Sequence, residues 1–287
     1  IAATFEDGHL HPMVSGGGTH AIQGGEWRTG SVGRALLADH QYQNLDALLQ
    51  IAPDMPIGWR MPSWLSITYS CGSMCNTFWS AGIATAASLL KRRKSLDIAI
   101  VEPRAEHYYQ PGWTMVGGGI FEPEVTRRTM ASVMPKAVTW IKQAAKSFQP
   151  DSNEVTLEDG STVRYEALAV APGIRLAWEK IDGLEDALGK NGVTSNYRYG
   201  LAPYTLELGQ KLKSGRAIFT QPPMPIKCAG APQKAMYLSC DHWMRAGVLD
   251  DIDVEFCNAG GVLFGVADYV PALMSYIKKY SVNLSLG

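Results

Sequence analysis

The sequence lacks any run of about 18 apolar residues, the length that a membrane-spanning helix needs, although 46% of its 287 residues are hydrophobic. It also lacks an excess of charge, since 26 basic residues face 27 acidic ones. A net charge of -1 provides no positive field, and we therefore expect no nucleic-acid partner. Cysteine is scarce and odd in number, at five residues, which argues against a disulfide framework and for a reducing compartment. What remains is the composition of an ordinary globular protein, long enough for two domains.

Lysine is absent from the first 90 residues, although the chain has 13 lysines. Residues 1–79 also lack sustained helical or strand periodicity, apart from one short helical pattern at Gly33–Ile51. We leave 1–79 unassigned, as a disordered leader or an artefact of translation. The chain starts without methionine and stops within a strand pattern, at "SVNLSLG", so we expect a fragment.

From residue 80 onward, helical and strand patterns alternate. "SAGIATAASLLKRRKS", "GAPQKAMYLSCDHWMRAG" and "YVPALMSYIKKY" predict helices, whereas "LDIAIVEP", "RAIFTQP" and "DIDVEFCNAG" predict buried strands. "NEVTLEDGSTVRYEALAV" predicts a hairpin that turns at Asp159-Gly160. Alternating strands and helices predict an α/β fold with a mostly parallel sheet. We expect two Rossmann-like domains, both partial, at 80–175 and 176–287, the first without its opening strand and glycines.

The first domain carries half of a dinucleotide-binding fingerprint. Gly82 opens a helix, and Glu102 ends the next strand 20 residues later. This is the spacing of the last glycine and the ribose-binding acid of such sites. The two preceding glycines are replaced by Thr77 and Trp79, and a tryptophan there would block the approach of a phosphate. An ordinary helix–strand pair with a C-terminal acid therefore remains an equal alternative.

The second domain has a cysteine where a nucleotide-binding turn is expected. The strand "RAIFTQP" leads into "PMPIKCAGAPQK", and its prolines at positions 222, 223 and 225 lack the N–H groups of a phosphate cradle. Cys228 lies on this loop between Lys227 and Lys234 and ahead of a helix N-terminus, all of which would stabilise a thiolate. A free cysteine is more often a small buried hydrophobic residue, but this setting favours a reactive thiol.

With these motifs, the sequence resembles the sulfide:quinone oxidoreductases, FAD enzymes of the two-Rossmann disulfide-reductase superfamily. The resemblance runs from residue 80 to 287 and rests on "IAIVEPRAEHYYQPGWTMVGGG", "LAVAPGIRLAWEKIDGLEDALGKNGVTSNYRY" and "FTQPPMPIKCAGAPQKAMYLS". It implies an enzyme with FAD as cofactor and no metal. The residues that it implies for cofactor binding are Ser80, Ala81 and Gly82 (pyrophosphate), Glu102 (ribose), Gln110 (flavin half) and Ala145 (a backbone position beside the adenine). It also implies that Cys228 is one of two redox cysteines, with Lys234 as a cation near the sulfur.

The activity that the resemblance implies is the oxidation of sulfide. Sulfide opens a disulfide between two cysteines, leaving a persulfide and a thiolate, and two electrons pass through FAD to ubiquinone or menaquinone. A small thiol or another sulfur acceptor then takes the outer sulfur. The implied location is the periphery of a quinone-containing membrane, bacterial cytoplasmic or mitochondrial inner. The membrane contact and the second redox cysteine would both lie beyond residue 287, and a homo-oligomer is compatible with this reading.

Two other interpretations stay open at this point. A quinone reductase of the same architecture that uses NADH would need a glycine fingerprint after "AIFT", where the sequence has prolines. An inactive truncated product would explain Thr77, Trp79 and the expected missing parts. Because of these departures, we predict weak or absent FAD retention for the 287 residues alone; stoichiometric, tightly held flavin would contradict this.

Overall fold

The structure, a computed structural model, describes residues 80–287 except Ile174, Met224, Pro225 and Lys227, together with the backbone of four short strands before residue 80. The chain divides into two compact units: residues 1–109 with 127–176, and residues 110–126 with 177–287. In chain order the elements are β1 (Ala2–Glu6), β2 (His9–Met13), β3 (Ala35–Leu37), β4 (Ser63–Ile67), α1 (Ser80–Arg92), β5 (Asp97–Val101), β6 (Glu106–Tyr108), α2 (Trp113–Gly117), β7 (Arg127–Thr129), α3 (Met130–Val133), β8 (Val138–Ile141), β9 (Ala145–Gln149), β10 (Glu154–Leu157), β11 (Thr162–Arg164), β12 (Ala167–Val170), α4 (Leu184–Ala187), α5 (Ala202–Lys211), β13 (Gly215–Gln221), α6 (Ala231–Arg245), β14 (Ile252–Asn258), α7 (Val270–Lys279) and β15 (Asn283–Leu286).

The first unit is built on a five-stranded sheet in the order β3-β12-β4-β5-β8, paired in parallel throughout. The buried residues of α1 are Gly82, Thr85, Ala86 and Leu89, a spacing of three and four that forms one helix face. Ala86 and Leu89 share a core cluster with Ile98 and Ile100 of β5. A parallel strand next to a helix is buried on both faces, which explains the apolar sequence of β5.

A three-stranded antiparallel sheet, β11-β10-β9, completes the core of the first unit. β10 and β11 pair in antiparallel register across the Asp159-Gly160 turn, where Gly160 has φ +85°, so the hairpin prediction is confirmed. Val155 and Leu157 of this sheet pack with Val101 of β5 and Leu168 of β12. The carboxyl end of β5 is thereby fixed from a second side.

The second unit contains a three-stranded parallel sheet in the order β13-β14-β15. Helices α6 and α7 are the crossovers of this sheet. Its core holds Met236 and Trp243 of α6, Phe256 of β14 and Ile277 of α7. The indole N–H of Trp243 donates to the Gly209 carbonyl at 2.7 Å, which ties α6 to α5.

The strands found before residue 80 differ from what the sequence pattern predicts. We expected the first domain to lack its opening strand, but β4 (Ser63–Ile67) precedes α1 and pairs in parallel with both β5 and β12. The pairing depends on strands far along the chain, and such context outweighs local pattern in strand formation. The helix predicted at Gly33–Ile51 is wrong at Ala35–Leu37, which form β3; the rest of that range lies outside the described residues. In the part of the chain that the structure describes, no helix is long and apolar enough to cross a membrane.

Candidate functional site

Ser80, Ala81 and Gly82 form the first turn of α1. Gly82 is buried, Ser80 and Ala81 are partly exposed, and the turn has no acidic side chain. The first amides of a helix have no partner within the helix, and their positive end favours an anion. The turn is thus chemically suited to a phosphate, whereas Thr77 and Trp79, the departures from the glycine pattern, lie outside the described residues.

Glu102 directly follows β5 and is only 1% exposed. Its Oε1 accepts a hydrogen bond from the backbone N–H of Arg104 at 2.8 Å, and its carbonyl accepts one from the Trp140 indole at 2.8 Å. Because α1 connects the adjacent parallel strands β4 and β5, its first turn and Glu102 belong to the same edge of the sheet. An ionised carboxylate only accepts hydrogen bonds, so Glu102 suits a partner with hydroxyl donors.

Ala145 begins β9, opposite Leu157 of β10. Its side chain is fully buried in the core cluster of Val101 and Val155. Only its backbone could therefore meet a ligand, and this is the role that the resemblance implies.

His107 on β6 is a further polar group of the first unit, opposite Arg128 of β7. Burial, and secondly the charge of Arg128, lower the pKa of His107 below its usual value. The side chain is therefore predominantly neutral at pH 7.

Gln110 belongs to the second unit, in the turn before α2. It is 2% exposed, and its Nε2 donates to the Asn196 carbonyl at 3.5 Å. Helix α2 also lies close to the chain segment that follows Asn196, because the ring centroids of Trp113 in α2 and Tyr199 are 6.2 Å apart. A Cβ on Gly117 would lie 2.4 Å from Asn196 Oδ1, so only glycine fits there.

Tyr197 connects this stretch to Cys228. Burial raises the pKa of the Tyr197 phenol well above its usual value, and an electrostatic interaction with Cys228 acts in the same direction. Gln110 and Cys228, which are 118 residues apart, thus approach the same short segment, residues 196–197. The string "SNYRY" ends the second motif of the family resemblance, but the sequence alone predicted no role for residues 196 and 197.

Cys228 is exposed and has φ +91°. A left-handed backbone at a non-glycine residue is strained and is concentrated at functional sites. Its carbonyl accepts the backbone N–H of Ala231 at 2.7 Å, which closes a tight turn (the cysteine turn, residues 228–231) immediately before α6. Lys234 is exposed in the first turns of that helix, while Lys227 lies outside the described residues.

The other described cysteines differ from Cys228. Cys240 is fully buried, and burial raises the pKa of its thiol to about 12. Cys257 is partly exposed on β14, and its Sγ donates to Glu255 Oε1 at 3.4 Å. Burial, and then that hydrogen bond, raise the pKa of Cys257.

These environments predict the order of thiol reactivity. Thiolates, not thiols, react with iodoacetamide. Among the three described cysteines of the folded chain at about neutral pH, Cys228 should be alkylated first. Cys240 should react only after unfolding, because it is fully buried and its raised pKa keeps its thiol protonated. Peptide mass mapping after timed exposure measures this order. Modification of Cys240 in the native chain as fast as that of Cys228 would contradict it.

A glycine-containing loop, residues 259–265, follows β14 and lies against the cysteine turn. A Cβ on Gly230 would be 3.6 Å from the Phe264 ring, and Gln233 Nε2 donates to the Leu263 carbonyl. The same loop lines an apolar cavity of about 420 Å³ together with parts of α7 and β15. The described residues contain no cluster of three or more metal-ligating side chains.

The curated relatives that the chain matches share one family name. The chain is 41% identical over 206 residues to the mitochondrial sulfide:quinone oxidoreductase of Dictyostelium discoideum and 39% identical over 206 residues to that of Mus musculus. Each match covers 71% of this chain and 46% of the relative. The chain therefore spans about half the length of the curated relatives that it matches. No protein-family model matches.

Solved structures support the fold. A sulfide:quinone oxidoreductase from Aquifex aeolicus superposes with a TM-score of 0.64 at 20% identity, covering 78% of this chain and 51% of that one. Putidaredoxin reductase in its complex with putidaredoxin gives 0.51 at 14% identity, covering 79% and 50%. The predicted α/β fold and the resemblance to sulfide:quinone oxidoreductases are confirmed.

Proposed function

We propose that this chain carries the cofactor-binding and cysteine-bearing part of a flavin-dependent enzyme that oxidises sulfide and delivers the electrons to a quinone. The observation that carries the proposal is the exposed, left-handed Cys228 in the turn before α6. In a parallel α/β unit this is where a glycine loop would bind a nucleotide phosphate. A thiol there, within a sequence 41% identical to a sulfide:quinone oxidoreductase, favours sulfur chemistry over nicotinamide binding.

FAD is the cofactor that the described residues fit. The first turn of α1 would bind the pyrophosphate through the amides of Ser80, Ala81 and Gly82. Glu102 would accept the ribose hydroxyls, and the Ala145 backbone would lie beside the adenine. Gln110 would reach the flavin half. When bound, FAD supplies a two-electron acceptor that can pass electrons to a quinone.

Cys228 would supply the sulfur chemistry. In the oxidised protein it would be joined to a second cysteine, directly or through extra sulfur. Hydrosulfide attacks the bridge, so that one S–S bond breaks while another forms, leaving a persulfide on one cysteine and a thiolate on the other. The exposed cation Lys234 and the positive end of α6 would stabilise the negative sulfur.

The further partners are proposed on the family resemblance. They are ubiquinone or menaquinone as electron acceptor and a small thiol or another sulfur acceptor for the outer sulfur. Three of the matched curated relatives are named as mitochondrial proteins. A peripheral position on the mitochondrial inner membrane, or on a bacterial cytoplasmic membrane, fits a quinone partner.

The test uses the complete product of the gene that encodes this chain, purified and loaded with FAD in the absence of oxygen. Sulfide should bleach the visible flavin band, and added quinone should restore it. Bleaching by NADH but not by sulfide would assign the chain to the NADH-dependent class. Failure to bind flavin under these conditions would support the inactive alternative.

A further inference from the structure

Gln233 interrupts an apolar stripe on α6. The buried face of this helix includes Gln233, Met236, Cys240 and Trp243 at spacings of three and four residues. Met236, Cys240 and Trp243 belong to the core cluster of the second unit, whereas Gln233, equally buried at 2% exposure, brings a primary amide to the same face. An apolar residue of similar volume would satisfy packing at this position without the desolvation of a polar group.

The amide of Gln233 makes one specific contact. Its Nε2 donates to the carbonyl of Leu263, in the 259–265 loop after β14. Its Oε1 is buried and finds no partner among the residues that the structure describes. A buried acceptor without a hydrogen bond is unfavourable, so stability alone does not account for glutamine here.

The contact joins two segments that are distant in sequence. Gln233 lies in the first turn of α6, two residues after Ala231, whose N–H closes the cysteine turn on the Cys228 carbonyl at 2.7 Å. On the opposite side, Leu263 and its neighbour Phe264 line the apolar cavity. Gly230, inside the cysteine turn, packs against the Phe264 ring. The turn that contains the strained Cys228 thus has the 259–265 loop as its neighbour, through Gly230.

We propose that Gln233 is a positioning residue that fastens the cysteine turn to the 259–265 loop and thereby holds Cys228 in its left-handed conformation. Its importance for sulfide oxidation rests on the proposed function, but the link between turn and loop does not. A residue in a left-handed, non-glycine conformation relaxes to an ordinary one unless its surroundings prevent it. Gln233 supplies this restraint from the buried side of α6.

The test compares Gln233→Met with Gln210→Met, an exposed glutamine of α5, by native-state hydrogen exchange on the full chain. In Gln233→Met, exchange in the cysteine turn and in the 259–265 loop should rise together by about fivefold, the equivalent of one net hydrogen bond. The middle of α6 and strand β14 should change less. Gln210→Met should leave all four regions as in the native chain.

A second readout concerns the thiol itself. Iodoacetamide should modify Cys228 about threefold more slowly in Gln233→Met at neutral pH, because a released turn no longer holds the sulfur near the positive end of α6. Unchanged exchange in the turn and loop would overturn the proposal. A uniform rise in hydrogen exchange across the second unit would show that Gln233 acts only through packing. An unchanged alkylation rate of Cys228 would refute its positioning role.

The unsubstituted chain provides a check that needs no variant. If Gln233 fastens the two segments, the amides of the turn and of the loop should open as one unit, with the same dependence on added denaturant. Separate opening of the two segments would contradict the link. The hydrogen-exchange and alkylation measurements require neither sulfide nor flavin. The failure of this proposal and the failure of the proposed function are therefore distinguishable.

Discussion

Replacement of Cys228 by alanine should reduce the rate at which sulfide bleaches the flavin band by about a thousandfold or more. Loss of a catalytic nucleophile has effects of this order, and Cys228 is the exposed one of the three described cysteines, in the turn that leads into α6. The measurement is anaerobic stopped-flow absorbance of the complete, flavin-loaded gene product. Flavin content should stay the same, because the residues proposed to bind FAD lie elsewhere.

Cys257→Ala is the matched control for this experiment. Cys257 is also partly accessible, but it lies within β14 and donates to the Glu255 carboxylate, so its loss should leave most of the rate. A Cys228→Ala enzyme that still reacts with sulfide at the native rate would eliminate Cys228 as the reacting thiol. A Cys257→Ala enzyme as slow as Cys228→Ala would show that Cys257 is also required for the reaction and is not a neutral control.

Replacement of Phe256 by alanine should lower the free energy of unfolding of the second unit by about 3–5 kcal/mol. Phe256 is fully buried in the middle strand of the β13-β14-β15 sheet and packs within the cluster that includes Met236 and Trp243. Truncation removes the buried ring and leaves a cavity between the sheet and α6. Urea unfolding followed by tryptophan fluorescence measures the change.

Phe121→Ala is the comparison for this loss. Phe121 also belongs to the second unit, but 40% of it is exposed, so its truncation should cost about 1 kcal/mol or less. Equal losses for the two variants would show that the core of this unit is not organised around β14.

The parts of the fold that the sequence predicted are those that local pattern specifies. Helix α1 and strand β5 are examples, since the helical pattern of residues 80–92 and the apolar run at 98–101 need no distant information. β4 was missed because its five residues become a strand through pairing with β5 and β12, the latter about 100 residues away. Sheet partners at such separation leave little local signal.

The same distinction between local pattern and distant contacts applies to the candidate site. Cys228 and Glu102 were found from their positions after strands, which sequence alone reveals. The left-handed backbone at Cys228 was not predicted, because an alanine and a glycine after a cysteine do not define the φ angle of that cysteine. The contribution of Gln233 depends on a hydrogen bond to Leu263, 30 residues away, and that of Tyr197 on an electrostatic interaction with Cys228, 31 residues away. The glutamine in the otherwise apolar stripe of α6 was the signal that could have identified Gln233.

Cys228 is proposed to exchange sulfur bonds when sulfide reduces the enzyme. The most direct measurement is peptide mapping without reductant of the complete, flavin-loaded gene product, before and after anaerobic sulfide. The account predicts that the Cys228 peptide is cross-linked to a second cysteine, directly or through extra sulfur, in the oxidised protein and is released by sulfide as the flavin band bleaches. A Cys228 that is a free thiol in both states while sulfide still bleaches the flavin would contradict it.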